Sequence, residues 1–139
     1  MEQIQLVLAG EYVGETPESI MSQFDVEIGY KSYNQGDHGS AKRDGFHMVF
    51  AYHDDESYSG YAFILGFRDG QLVEINGSHC SCHGFEGQWE EEPVTIEALR
   101  HRMTKGDLGK TWDTDTQGYN KSEFADELES LLVTIESAA

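Results

Sequence analysis

Both cysteines of the chain, Cys80 and Cys82, lie one residue apart in the stretch Asn76 to Trp89, with His79 and His83 on either side. Thiolates and imidazoles are the ligands zinc prefers. A thiolate beside a cationic group is also a nucleophile. Two chemistries are therefore open. One is a metal site on His79, Cys80, Cys82 and His83, with zinc as its cofactor. The other is a Cys/His enzyme in which Glu74 or Glu86 orients a histidine. Spacing weighs against the metal, because paired cysteines in structural zinc sites usually have about two to four residues between them. Here there is one residue between them and no second pair. On extended backbone Cys80 and Cys82 would share one face and His79 and His83 the other. A complete site would need His38, His47, His53 or an acid brought in by the fold. The acidic surroundings weigh against the enzyme, since negative charge raises a thiol's pKa. The plainer reading makes the cysteines small apolar side chains in a glycine-pinned turn, with the histidines satisfying backbone groups. It expects no cofactor and no catalytic residue.

Charge points elsewhere. The chain carries 26 acidic and 9 basic residues, a formal net charge of -17. Like charges repel, so direct binding to nucleic acid or to an anionic membrane is disfavoured. Solubility alone is served by roughly 2–8 units of charge in a small domain. The excess suits a partner with a basic surface, and a rigid row of carboxylates can imitate the phosphates that nucleic-acid-binding proteins recognise. The candidate partner surface is Trp89, Glu90 and Glu91 after the cysteine motif, with Asp126, Glu127, Glu129 and Glu136 on the last helix. Trp89, next to Glu90, is expected to be partly exposed. Lys42 and Arg43 sit in a glycine-rich loop, but no P-loop pattern surrounds them, and an ordinary connection is the expectation.

Length bounds the rest. A chain of 139 residues fits one domain, residues 1–139, with one core. No apolar stretch is long enough to cross a bilayer. The start, Met1-Glu2-Gln3-Ile4, has no basic region, so no signal peptide is expected. Cysteines so close cannot staple distant segments, and the simplest setting is a reduced cytosol.

The elements that must position these residues follow from pattern. Ile4 to Leu8 is a short apolar run, strand or helix. Thr16-Pro17-Glu18 starts a short helix, with Thr16 as cap and Pro17 in the first turn. Residues 25–33 read as a strand, and residues 34–45 as a polar loop. Phe46, Met48, Phe50 and Tyr52 alternate as one apolar face of a strand that ends in the acidic turn Asp54-Asp55-Glu56. Tyr58 to Phe67 is apolar at both parities, as in a central strand. Asp69-Gly70 is a hairpin turn, and Gln71 to Ile75 the returning strand, with the cysteine motif beginning where it ends. Thr95 caps a helix with Ile96, Leu99 and Met103 on one side; Arg100, Arg102 and Lys105 lie toward its end, and Gly106 stops it. Residues 107–119 read as irregular. Asn120 and Glu123 match a capping box for the last helix, whose Phe124, Leu128, Leu131, Leu132 and Ile135 face the core. The fold class expected is α+β, a small antiparallel sheet with two to three helices packed on it.

One stretch carries a resemblance. Asn76-Gly77-Ser78-His79-Cys80-Ser81-Cys82, then Gly84, then Glu86-Gly87-Gln88-Trp89 and the acid-Pro continuation to Pro93 resemble the signature of a family of small proteins of tailed bacteriophages and prophages. His83 stands where an aromatic is usual in that signature. The resemblance spans under a third of the chain and has no catalytic assignment attached. It implies a non-structural phage accessory protein acting in the host cytoplasm. With the charge, it points to a basic host protein as partner, including nucleic-acid-binding or anti-phage defence proteins.

Overall fold

The computed structural model describes residues 4–26, 40–56, 59–80 and 84–138. The elements run β1 (Val7–Gly10), α1 (Pro17–Ser22), β2 (Phe46–Glu56), β3 (Ser59–Arg68), β4 (Gln71–Cys80), β5 (Glu92–Pro93), α2 (Ile96–Thr104), β6 (Lys110–Asp113), β7 (Gly118–Ser122) and α3 (Ala125–Ala138). Strands β1 to β5 form one sheet in sequence order, and β6 and β7 a separate ribbon. The α+β class holds. Strands β2 to β5 pair antiparallel, and β1 adds a parallel edge beside β2. Of the strand expected over residues 25–33 and the loop expected over 34–45, residues 27–39 lie outside the described residues.

Both faces of the sheet are covered. On one, Phe50, Phe63, Leu65 and Leu72 pack against Leu99 and Met103 of α2 and the apolar side of α3. On the other, Ala51, Ile64, Val73 and Ile75 pack against Ile20 and Met21 of α1, with Phe24, Phe85 and Trp89. Strand β3 is central and buried on both sides, as its sequence suggests.

The single apolar face expected for β2 is corrected. Register shifts between Met48 and Phe50, so Val49 is an extra residue. A bulge of this kind flips the parity of a strand. Phe46 and Met48 therefore belong to the α1 side, while Phe50 and Tyr52 belong to the α2/α3 side. Asp54 to Glu56 are not a turn but the end of β2, paired with Tyr61 to Ser59. The hairpin at Asp69-Gly70 is as expected, with φ of 52° and 85° at its two residues. Strand β4 then runs past Ile75 to Cys80, so the first half of the motif is strand and not loop. Residues 110–122, read partly as irregular, hold the β6–β7 ribbon.

Caps decide the helices. Thr16 accepts from the Ser19 amide to start α1, and Thr95 from the Ala98 amide to start α2. The box expected at Asn120 does not form, because Asn120 lies within β7. Instead the Gly109 carbonyl accepts from the amides of Glu123, Phe124 and Ala125, which satisfies donors at the head of α3 that lack an intrahelical acceptor.

Candidate functional site

Strand β4 alternates its side chains between the two covered faces. Val73, Ile75, Gly77 and His79 meet the α1 side; Leu72 and Glu74 meet the α2/α3 side. Gly77 is required for space, since a Cβ there would lie 2.9 Å from the Phe85 ring and 3.0 Å from the Phe24 ring. Those two rings stack at 5.1 Å across the strand. His79 lies over Gly60 of β3, where an added Cβ would come within 2.6 Å of its Nε2. The His79 ring is 5.6 Å from that of His53, and both rings contact Phe85 at 5.2 Å. The fold thus brings His53 to His79. His47 stands elsewhere, 3.3 Å from the Ile4 carbonyl, and His38, Cys82 and His83 lie outside the described residues, as does the side chain of Cys80. Among the described residues no three His, Cys, Asp or Glu side chains are grouped to hold a metal ion.

The second half of the motif is a strap. Gly87 has a φ of 78°, the left-handed region glycine tolerates, and its amide donates to the Phe24 carbonyl. Gln88 works as a side-chain clamp. Its Nε2 donates to the carbonyls of Ser78 and Gly84, and its Oε1 accepts from the Ser78 amide at 2.8 Å. One amide side chain thereby pairs with the edge of β4 as a strand would, and ties together both ends of the segment carrying Cys80 and Cys82. Nothing in the sequence pattern signals this role for Gln88.

Trp89 is not exposed. It is 6% accessible, edge-on to Phe24 and Phe46 at 5.3 and 5.2 Å. Its apolar rings supply core on the sheet's α1 side, and its Nε1 donates to Glu91 Oε2 at 2.8 Å. Glu91 in turn accepts from Arg68 Nε at 2.8 Å. The guanidinium beside it, more than the indole, holds the Glu91 carboxyl below the usual carboxylate range. Arg68 also donates to the Lys42 carbonyl and lies over the Phe46 ring. Of the three motif residues expected at a partner surface, Glu90 is the exposed one.

Glu74 does not face the histidines. It is buried at 7%, bonded to Arg102 Nη1 at 2.6 Å and to Asn76 Nδ2 at 2.9 Å. Pleating puts it on the opposite side of the sheet from His79, so it cannot orient that ring.

Phe124, just before α3, and Leu128, Leu131, Leu132 and Ile135 on it are buried as expected. The four acids divide into two pairs. Glu129 and Glu136 are gripped by one residue of α2, Arg100, at 2.7 and 2.6 Å. The same guanidinium lowers the Glu136 carboxyl below its ordinary value. Asp126 and Glu127 are exposed, and among the described residues neither has an ion pair. A cleft of about 410 Å³ beyond the head of α3 gathers Asp54, Asp107 and Glu123 around Tyr61, whose hydroxyl donates to Glu123. Burial, reinforced by these acids, pushes the Tyr61 hydroxyl well above its ordinary value. These acids are far apart in sequence, so no run of charge announces the cleft.

No protein-family model matches the chain, nor does any curated protein or solved structure. Among the described residues no helix is long and apolar enough to cross a membrane.

Proposed function

We propose that this is a non-enzymatic, acidic accessory protein of a tailed phage or prophage. It acts in the host cytoplasm by binding a basic host protein and inhibiting or redirecting it. A nucleic-acid-binding or anti-phage defence protein fits this description, because carboxylates held at fixed spacing can take the place of phosphates. The supporting observation is the state of α3. Its buried apolar side fixes the helix against the sheet, and Asp126 and Glu127 are exposed and make no ion pair among the described residues. The test is capture of host proteins from bacterial lysate by wild type and by the Asp126→Asn, Glu127→Gln variant, at low and high salt. A specific partner should bind wild type at low salt and be lost in the variant or at high salt, as screening predicts. Equal capture by both proteins at both salts would refute the reading.

A second reading is a small zinc-binding protein built on His79, Cys80, Cys82 and His83. What favours it is the approach of His53 to His79, the kind of additional imidazole the spacing of the motif demands. Metal analysis of the purified protein with thiol titration decides it: a stoichiometric metal lost on Cys80→Ser, Cys82→Ser supports this reading, and a metal-free protein with two free thiols removes it.

A further inference from the structure

Strand β1 is the outermost strand of the sheet beside α3. Among the described residues it pairs with β2 alone, from Val7 opposite Phe50 to Gly10 opposite His53. No strand among them pairs with its other edge, and besides β2 only the turn amides of Tyr12 and Val13 reach it, at the Ala9 and Gly10 carbonyls. Natural edges are usually blunted by charge, by proline or by a covering element, yet Gln5-Leu6-Val7-Leu8-Ala9-Gly10 contains neither a charge nor a proline. Beside this edge lies a groove of about 550 Å³, with Gln5 and Val7 on one wall and Glu127, Ser130, Leu131 and Thr134 of α3 on the other. The two sides of the strand differ. Val7 and Ala9 are half-buried toward α3, while Leu6 and Leu8 are half-buried toward α1.

We propose that this edge takes an extended segment of the basic partner as an added strand. The inference rests on the acidic-binder reading and names where that binding occurs. Main-chain hydrogen bonds to β1 would supply the affinity, and alternate side chains the specificity. Those on the α3 side meet Glu127 and the hydroxyls of Ser130 and Thr134, so they are Lys or Arg. Those on the far side cover Leu6 and Leu8, so they are apolar. The fitting sequence therefore alternates basic and apolar residues. A second copy of this chain is the wrong occupant, because it would bring another -17 against the same edge.

The test uses two labelled octapeptides of alternating Lys and Val, one ordinary and one N-methylated at every amide, which keeps the charge but cannot pair as a strand. Fluorescence anisotropy gives affinity, and amide NMR shifts give location. The ordinary peptide should bind at least about tenfold more tightly, the difference expected when two or more strand hydrogen bonds are lost. Its shifts should be confined to residues 5–10 and 127–134. Glu127→Lys, an exposed change, should weaken it by about tenfold as well. Equal affinity for the two peptides, with shifts at other carboxylates, overturns the edge site and leaves the acidic-surface reading standing. Failure of both peptides to bind at low salt overturns both.

Discussion

Gly109→Ala tests how the head of α3 is held. The Gly109 carbonyl accepts from the amides of Glu123, Phe124 and Ala125 at 2.8, 3.0 and 3.0 Å. Its φ is 74°, and an added Cβ would lie 2.8 Å from the Ala125 nitrogen and 2.9 Å from its Cα. The left-handed backbone alone costs an alanine about 1–2 kcal/mol. Relieving the contact must move either residue 109 or the helix start, and each hydrogen bond lost costs about 1 kcal/mol. With two or three bonds broken, the total is about 3–5 kcal/mol. Gly70 is the control: its φ is 85°, but nothing lies within 4 Å of an added Cβ. Gly70→Ala should cost only the backbone strain, about 1–2 kcal/mol. For a domain of this size each kcal/mol shifts Tm by about 3–4 °C, so Gly109→Ala should lower it by about 10–20 °C and Gly70→Ala by about 3–8 °C. Thermal unfolding followed by circular dichroism reads both. Equal shifts for the two variants would refute the argument, because the contact with Ala125 would then contribute nothing. The variant should also bind the Lys/Val peptide more weakly, since Asp126 and Glu127 follow directly on the displaced turn.

Trp89→Ala should cost about 3–5 kcal/mol in urea denaturation, as for other buried aromatics; a loss under about 1 kcal/mol would mean the indole is not core. Gln88→Ala should cost about 1–3 kcal/mol and speed hydrogen exchange at the Ser78 amide, which loses its acceptor; unchanged exchange there contradicts the clamp. Glu91 has a folded-state pKa below its unfolded value because of Arg68, so its stabilisation is present above the unfolded pKa and lost as pH falls through the folded one. Glu91→Gln should therefore be less stable than wild type at neutral pH and lose less stability on acidification. Parallel acid limbs for the two proteins would show that the Arg68 pair does not contribute.

Period and capping chemistry were legible without coordinates. The apolar face of α3, the Thr16 and Thr95 caps, the Asp69-Gly70 turn and the buried character of β3 each depend on residues close in sequence, and local sterics or a repeating period suffice to place them. Other features depended on partners distant in the chain. The bulge at Val49 was hidden because both sides of the sheet are covered, so apolar residues occur at either parity and a flip leaves no mark. Gly77 belongs by pattern to a glycine-pinned turn, whereas it lies inside β4, where its missing side chain makes room for Phe24 and Phe85. Asn120 and Glu123 have the spacing of a capping box, but strand pairing claimed Asn120 and the Gly109 carbonyl met the donors it would have capped. Trp89 looked exposed between glycines and glutamates until Phe24 and Phe46 closed around it. The charge of α3 could be counted in sequence, but not its division. Whether a carboxylate is free depends on which cation the fold sets beside it, and Arg100, on another helix, reaches Glu129 and Glu136 but not Asp126 and Glu127.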